Sequence, residues 1–202
     1  VSLAPNTLIP TYHRMPNRSP LKIQAVIFDL DGTLIDSEMA SHVALNKPLQ
    51  HHFGRSKEVS LPLHARILGM SPREGIDAIL QENQITEAMM TREEYIREFH
   101  TALEEGYDEI DRMPGSLELV KELKAKGCKL ALCTSTHRKA FDKKMRRHKE
   151  LVGLFDVVIT GEDPEIRHGK PRPDVFLLAA RRLGKTPVQR CLVFDDSAVG
   201  VR

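Results

Sequence analysis

The run from Ala25 to Leu30, AVIFDL, reads as a buried strand, yet Asp29 lies inside it and Asp31 follows two positions later, just before Gly32. Continuous apolar runs, rather than alternating ones, mark the strands of a parallel sheet covered on both faces. A bare carboxylate at the end of such a strand costs several kcal/mol unless something compensates it. Whatever fold the chain adopts must bring that compensation to the end of its first strand.

The rest of the chain alternates as a parallel α/β sheet demands. Ile23 to Leu30 is predicted as the first strand, and Lys129 to Cys133 (KLALC) as the second. Asp156 to Thr160 (DVVIT) and Arg190 to Phe194 (RCLVF) follow as the third and fourth. After a break at Pro114 and Gly115, Leu119, Val120 and Leu123 mark one face of a short helix ending at Gly127. Phe141 to Leu154 is predicted helical, with the basic run Lys143 to Lys149 as its solvated face. Pro173 to Leu183 is a helix with proline at its start and Gly184 at its end.

Between the first strand and Pro114 the pattern is helical. Val43, Leu45 and Leu49, then Ile76, Ile79 and Leu80, then Tyr95, Ile96, Phe99 and Leu103 fall at helical spacings. An insertion directly after strand one sits at the carboxyl end of the sheet, where open α/β folds bind ligands. The expected architecture is a Rossmann-like parallel-sheet core over residues 21–36 and 113–202, with a helical cap over 37–112. Residues 1–20 carry four prolines and no periodicity, and read as a disordered tail.

Composition excludes several classes of function. Lys plus Arg at 30 against Asp plus Glu at 28 gives a formal charge of +2, too balanced to drive nucleic-acid or membrane binding. No apolar run approaches the ~18 residues of a membrane helix. Three cysteines, Cys128, Cys133 and Cys191, read as reduced residues of a cytoplasmic protein. HExxH, GxGxxG and GxxxxGK[ST] are absent. The histidines, His51 and His52 included, lack ligand-like spacing and read as surface residues.

Polar residues gather at the strand ends. Strand one ends in Asp29-Leu30-Asp31-Gly32-Thr33, strand two in Thr134-Ser135-Thr136, strand four in Asp195-Asp196-Ser197, and Lys170 lies in the loop GKPRPD. A parallel sheet brings all of them to one edge. Carboxylate and carbonyl oxygens suit Mg²⁺, which keeps waters and accepts a phosphate oxygen, while hydroxyls and an ammonium suit the phosphoryl group. Taken singly, Asp195, Asp196, Thr134 and Ser135 each fit a helix N-cap, and Lys170 fits a surface loop. Capping leaves Asp29 unexplained, so the joint pattern favours a cation and phosphoryl site.

FDLDGTLIDSE resembles the signature DxDGTLxDS of the haloacid dehalogenase superfamily of phosphohydrolases. Its other motifs follow in order at Thr134, Lys170 and the pair Asp195-Asp196. MPGSLELVKELKAKG, RRHKELVGLF, GEDPEIRHGKPRPDVFLLAA and CLVFDDS are similar to the helical-cap branch, the pseudouridine-5′-phosphatases above all. The resemblance covers residues 23–202. It implies that Asp29 is the nucleophile and Asp31 the general acid and base. Mg²⁺ would be held by the side chains of Asp29 and Asp196 and the backbone carbonyl of Asp31. Thr134, the Ser135 amide and Lys170 would hold the phosphoryl oxygens, and Asp195 would orient Lys170 or a metal-bound water.

The implied protein is a cytoplasmic monomer that hydrolyses a small phosphorylated metabolite, with pseudouridine 5′-phosphate the first choice. A phosphomutase of the β-phosphoglucomutase type and a non-catalytic binding protein are the rival readings. Specificity is expected from the cap, where Gly69, Met70, Ser71 and Arg73 lie in a turn between two helices. An ordinary helix connection accounts for that turn equally well. The family continues beyond the acidic pair with a helix and an edge strand, so a chain ending at Arg202 is expected to have a truncated core edge.

Overall fold

Apolar runs flanked by helical segments assemble into one parallel sheet in this computed structural model, which describes residues 22–68, 70 and 72–197. The expected tail over residues 1–20 lies outside the described residues. Strands β1 (Ala25–Phe28), β2 (Lys129–Cys133), β3 (Val157–Ile159) and β4 (Cys191–Phe194) pair in the order β3-β2-β1-β4. All three interfaces are parallel, with Phe28 beside Leu132 on one side and Phe194 on the other.

β1 is shorter than the predicted strand for a physical reason. Leu34 N and Ile35 N both donate to Leu30 O, so Leu30 already belongs to a turn. The ladder itself runs from Gln24 N, bonded to Arg190 O, to Asp29 N, bonded to Phe194 O. Asp156, just before β3, bonds β2 through both backbone and side chain: its N donates to Leu130 O at 2.9 Å, and its carboxylate accepts from Leu130 N at 2.8 Å and from Lys124 Nζ at 2.5 Å.

The chain leaves the sheet after β1 for a helical insertion of α1 (Ser37–Phe53), α2 (Leu61–Ile67), α3 (Pro72–Glu82) and α4 (Arg92–Gly106). α4 starts with a capping box, in which Thr91 and Glu94 satisfy each other's backbone N–H groups. The insertion has its own apolar cluster, including Leu49, Val59, Ile79 and Tyr95. The Tyr95 hydroxyl donates to Leu45 O at 2.6 Å, so its one polar atom is satisfied inside that cluster. Val43 stays half exposed, apart from the cluster that takes Leu45 and Leu49. The outgoing and returning segments lie side by side: Asp36 N donates to Asp111 O and Met113 N to Leu34 O.

Beyond the insertion come α5 (Ser116–Ala125), α6 (Arg138–Lys144), α7 (Lys149–Val152) and α8 (Asp174–Arg182). Alternate strand residues feed opposite faces, as the two-residue strand period requires. Val26, Phe28, Leu130 and Leu132 pack with Val120 of α5, Phe141 of α6 and Leu151 of α7. Ala25, Ile27, Ala131, Cys133 and Ile159 pack with Val175, Leu178 and Ala179 of α8. Phe28 stacks on Phe194 at 5.0 Å and meets Phe155 edge-on at 6.0 Å, geometries worth about 0.5–1.5 kcal/mol beyond burial. These buried faces fix the level at which β1 and β2 end, and so the height of the polar residues that follow.

The predicted helix over Phe141 to Leu154 is in fact two. α6 stops at Lys144 and α7 starts at Lys149, which turns His148 inward so that its Nε2 pairs with Ile110 O at 2.8 Å. His148 and His64 are thus buried rather than on the surface. Cys128, Cys133 and Cys191 are free thiols. Among the described residues no helix is long and apolar enough to cross a membrane.

Candidate active site

β1 delivers Asp29 to the carboxyl end of the sheet, where it is only 7% exposed. Burial pushes its carboxyl up to about 6, against the pull of the hydrogen bond and charge from Lys170. Lys170 Nζ donates to Asp29 Oδ1 and to Asp195 Oδ2, both at 2.6 Å. Burial alone would lower the Lys170 ammonium, but its bonds to Asp195 and Asp29 outweigh that and raise it. Lys170 Nζ also lies over the Phe176 ring, 5.4 Å from its centroid. The Asp195 side chain has no exposed surface, so Lys170 is its link to the site.

Gly32 makes room for the remaining carboxylate. Its φ of +76° is favourable only for glycine, and a Cβ there would lie 2.3 Å from Asp196 Oδ2. Thr33 Oγ1 donates to Asp196 Oδ1 at 2.9 Å, and Asp196 N donates back to Thr33 Oγ1 at 3.1 Å. Asp29, Asp195 and Asp196 each offer a carboxylate oxygen, and these atoms lie within 4.8 Å of one another. Three clustered carboxylates against one ammonium leave an excess of negative charge. Hard oxygen donors in that arrangement fit a divalent cation such as Mg²⁺.

The strand-two loop forms the opposite wall. Thr134 is buried, its N–H donating to Ile159 O and its Oγ1 accepting from Thr136 N at 3.0 Å. Ser135 follows, exposed at the loop. A Cβ on Gly161 would sit 2.2 Å from Ser135 O, so only glycine lets the loop after β3 press against it. A cleft of about 340 Å³ runs past Thr134, Ser135, Gly161 and Lys170. The structure thus brings together Asp29, Asp31, Thr134, Ser135, Lys170, Asp195 and Asp196 at the strand ends.

Of the expected cap turn, Gly69 and Ser71 lie outside the described residues, and Met70 and Arg73 are exposed.

Three features here were not anticipated from the sequence. Lys144 Nζ donates to Asp31 Oδ1 at 2.6 Å, and Thr136 Oγ1 donates to Asp31 Oδ2 at 2.9 Å. Lys144 is only 9% exposed, which corrects its assignment to a solvated basic face. The available signal was its register: Ala140, Phe141 and Lys144 share the buried side of α6. Glu38, in the first turn of α1, is the third. Its carboxyl is raised by burial and then by the charges of Asp196, Asp31 and Asp36. Away from the site, His51 and His52 both bond Glu98, at 3.2 and 2.8 Å. That grouping has metal-ligand chemistry and was invisible to spacing because Glu98 arrives from α4.

Comparison with known proteins gives a consistent result. The model for the family haloacid dehalogenase-like hydrolase matches residues 23–202. The chain is 36% identical over 182 residues to (DL)-glycerol-3-phosphatase 1, mitochondrial, of Arabidopsis thaliana, covering 89% of this chain and 60% of that protein. It therefore spans less than two thirds of that relative's length. It is 33% identical to a probable pseudouridine-5′-phosphatase of Drosophila melanogaster, over 93% of this chain and 79% of the relative. The crystal structure of a putative beta-phosphoglucomutase from Thermotoga maritima superposes with a TM-score of 0.70 at 31% identity, covering 89% of this chain and 79% of that one. A family match over nearly the whole described chain, on a parallel sheet whose strand ends carry clustered aspartates, a lysine and a threonine, means that this chain belongs to the haloacid dehalogenase-like hydrolase family.

Proposed function

We propose that the chain is a Mg²⁺-dependent phosphatase that hydrolyses a small phosphomonoester through an aspartyl-phosphate on Asp29. The observation that carries this reading is the buried Asp29 carboxylate, gripped by Lys170 and within 4.8 Å of carboxylate oxygens of Asp195 and Asp196. Asp29 and Asp196, with the Asp31 backbone carbonyl, would hold the metal. When bound, Mg²⁺ offsets the charge of these carboxylates and of the phosphoryl oxygens.

In the first step an Asp29 oxygen attacks phosphorus, the bond to the leaving oxygen breaks, and Asp31 hands that oxygen a proton. In the second, Asp31 takes a proton from water, which attacks the aspartyl-phosphate phosphorus and releases inorganic phosphate. Lys170, Thr134 and the Ser135 amide hold the phosphoryl oxygens as charge spreads over them. Treatment with EDTA is expected to abolish phosphate release and added Mg²⁺ to restore it. Full activity in EDTA would rule out the metal.

Residues 37–112 are then a cap that selects the leaving group. Relatives named as glycerol-3-phosphatase and pseudouridine-5′-phosphatase support a phosphorylated polyol or nucleoside. A screen of glycerol 3-phosphate, pseudouridine 5′-phosphate and hexose phosphates for inorganic phosphate release tests this. The likeness to a structure titled putative beta-phosphoglucomutase supports a second reading, transfer to a sugar hydroxyl. Isomerised sugar phosphate in excess over free phosphate would favour that second reading. Because Met70 is exposed between α2 and α3, and Arg73 is exposed in the first turn of α3 rather than on the expected connection, Met70→Ala and Arg73→Ala are expected to reorder substrates by several-fold in kcat/KM. An unchanged order would make this turn a plain connector.

A further inference from the structure

The two aspartates of the DLD triplet (29–31) are served by different lysines. Lys170 holds Asp29, whereas Asp31 is held at one oxygen by Lys144 at 2.6 Å and at the other by Thr136 at 2.9 Å, with Thr134 Oγ1 at 3.4 Å. Lys144 Nζ also reaches Thr136 Oγ1 at 3.4 Å, so lysine, threonine and aspartate close a small ring of contacts. The lysine is anchored from two directions. Its backbone ends α6 beside the buried Ala140 and Phe141, and its ammonium lies 5.4 Å from the centroid of the Tyr107 ring, on the segment returning from the insertion.

Placing an ammonium at 9% exposure is costly unless its charge is used. Here the partner that uses it is the carboxylate assigned to proton transfer. A carboxylate on the short turn after β1 can rotate about χ1 and χ2. Donors on both its oxygens hold its plane.

We propose that Lys144 is a positioning residue that, with Thr136, fixes the Asp31 carboxyl so that it faces the leaving-group oxygen of the substrate. The inference rests on the phosphatase reading above. Lys144 touches neither phosphorus nor the leaving group in this role. Its effect passes through Asp31 and is felt where proton delivery limits bond cleavage. An alkyl phosphate needs its departing alkoxide protonated, whereas p-nitrophenyl phosphate releases a phenolate that needs little help. Misplacing an acid by about 1 Å can cost up to about 10²-fold, and only the first substrate should feel it fully.

The experiment compares kcat/KM on glycerol 3-phosphate or pseudouridine 5′-phosphate, whichever the wild type turns over faster, with kcat/KM on p-nitrophenyl phosphate. For Lys144→Met, which keeps the apolar stem, the alkyl-to-aryl ratio should fall roughly tenfold or more. Lys144→Arg should recover part of it, and Thr136→Val should shift the ratio in the same direction. Because the ratio is a property of the folded fraction, partial unfolding leaves it untouched. An unchanged ratio in all three variants, with the wild type active, would overturn the role of Lys144 alone. A wild type that releases phosphate from neither substrate would overturn the phosphatase reading and this inference with it.

Discussion

Asp29→Asn should lose about 10⁴-fold or more in turnover, because the amide is no nucleophile and nothing nearby can replace it. Lys170 is already committed to Asp29 and Asp195, and Asp195 is enclosed with no exposed side-chain surface. The same change bears on ligand binding. Beryllium fluoride with Mg²⁺ mimics a phosphoryl group on a carboxylate, so the wild type should melt at higher temperature with both present. Saturation at a hundred times the Kd is worth about 2.7 kcal/mol. Asp29→Asn should abolish that shift while folding normally, since removing the charge relieves the burial that pushes this carboxyl up to about 6. Turnover within tenfold of wild type would eliminate Asp29 as the nucleophile.

Asp31→Asn is expected to cost roughly 10²- to 10⁴-fold in turnover, the usual worth of general acid–base catalysis. Its signature differs from that of Asp29→Asn. The metal contact proposed for this residue is the backbone carbonyl, which the substitution leaves in place. The variant should therefore keep the Mg²⁺–beryllium fluoride melting shift even though it turns over slowly. Both losses would be consistent with a mutase as well as a phosphatase, and the product separates the two. With wild-type enzyme a sugar phosphate should yield inorganic phosphate. A lost melting shift in Asp31→Asn would place its side chain on the metal or the phosphoryl group instead.

The parallel sheet and its polar edge were legible in the sequence. A fully buried strand must be apolar along its length, so AVIF, LALC and VVI announced themselves as runs, and the aspartates stood out as interruptions. The ordered set of Asp29, Thr134, Lys170 and Asp196 was readable because three of them follow strands and Lys170 lies in the loop that leads into α8. Parallel topology alone then gathers them at one edge. Local rules reached the helix limits as well, where Pro173 and Gly184 bracket α8 and Gly115 precedes α5.

What sequence could not show depends on contacts between distant segments. The basic run from Lys143 to Lys149 looks like one solvated face. In the fold its helix is interrupted after Lys144, and His148 meets Ile110 and Lys144 meets Asp31, partners 38 and 113 residues away. Composition cannot distinguish a lysine that points to water from one that pairs with a carboxylate at the end of a strand. The His51–His52–Glu98 grouping and the Gly161–Ser135 approach were hidden for the same reason. Residue order alone settles where the strands fall, at which sheet edge the polar residues gather and which residues follow each strand, because burial dictates apolar runs and parallel pairing dictates where they end. Which side chain meets which carboxylate is settled in three dimensions, because those pairings depend on proximity between distant segments and on the cost of leaving a buried charge unmatched.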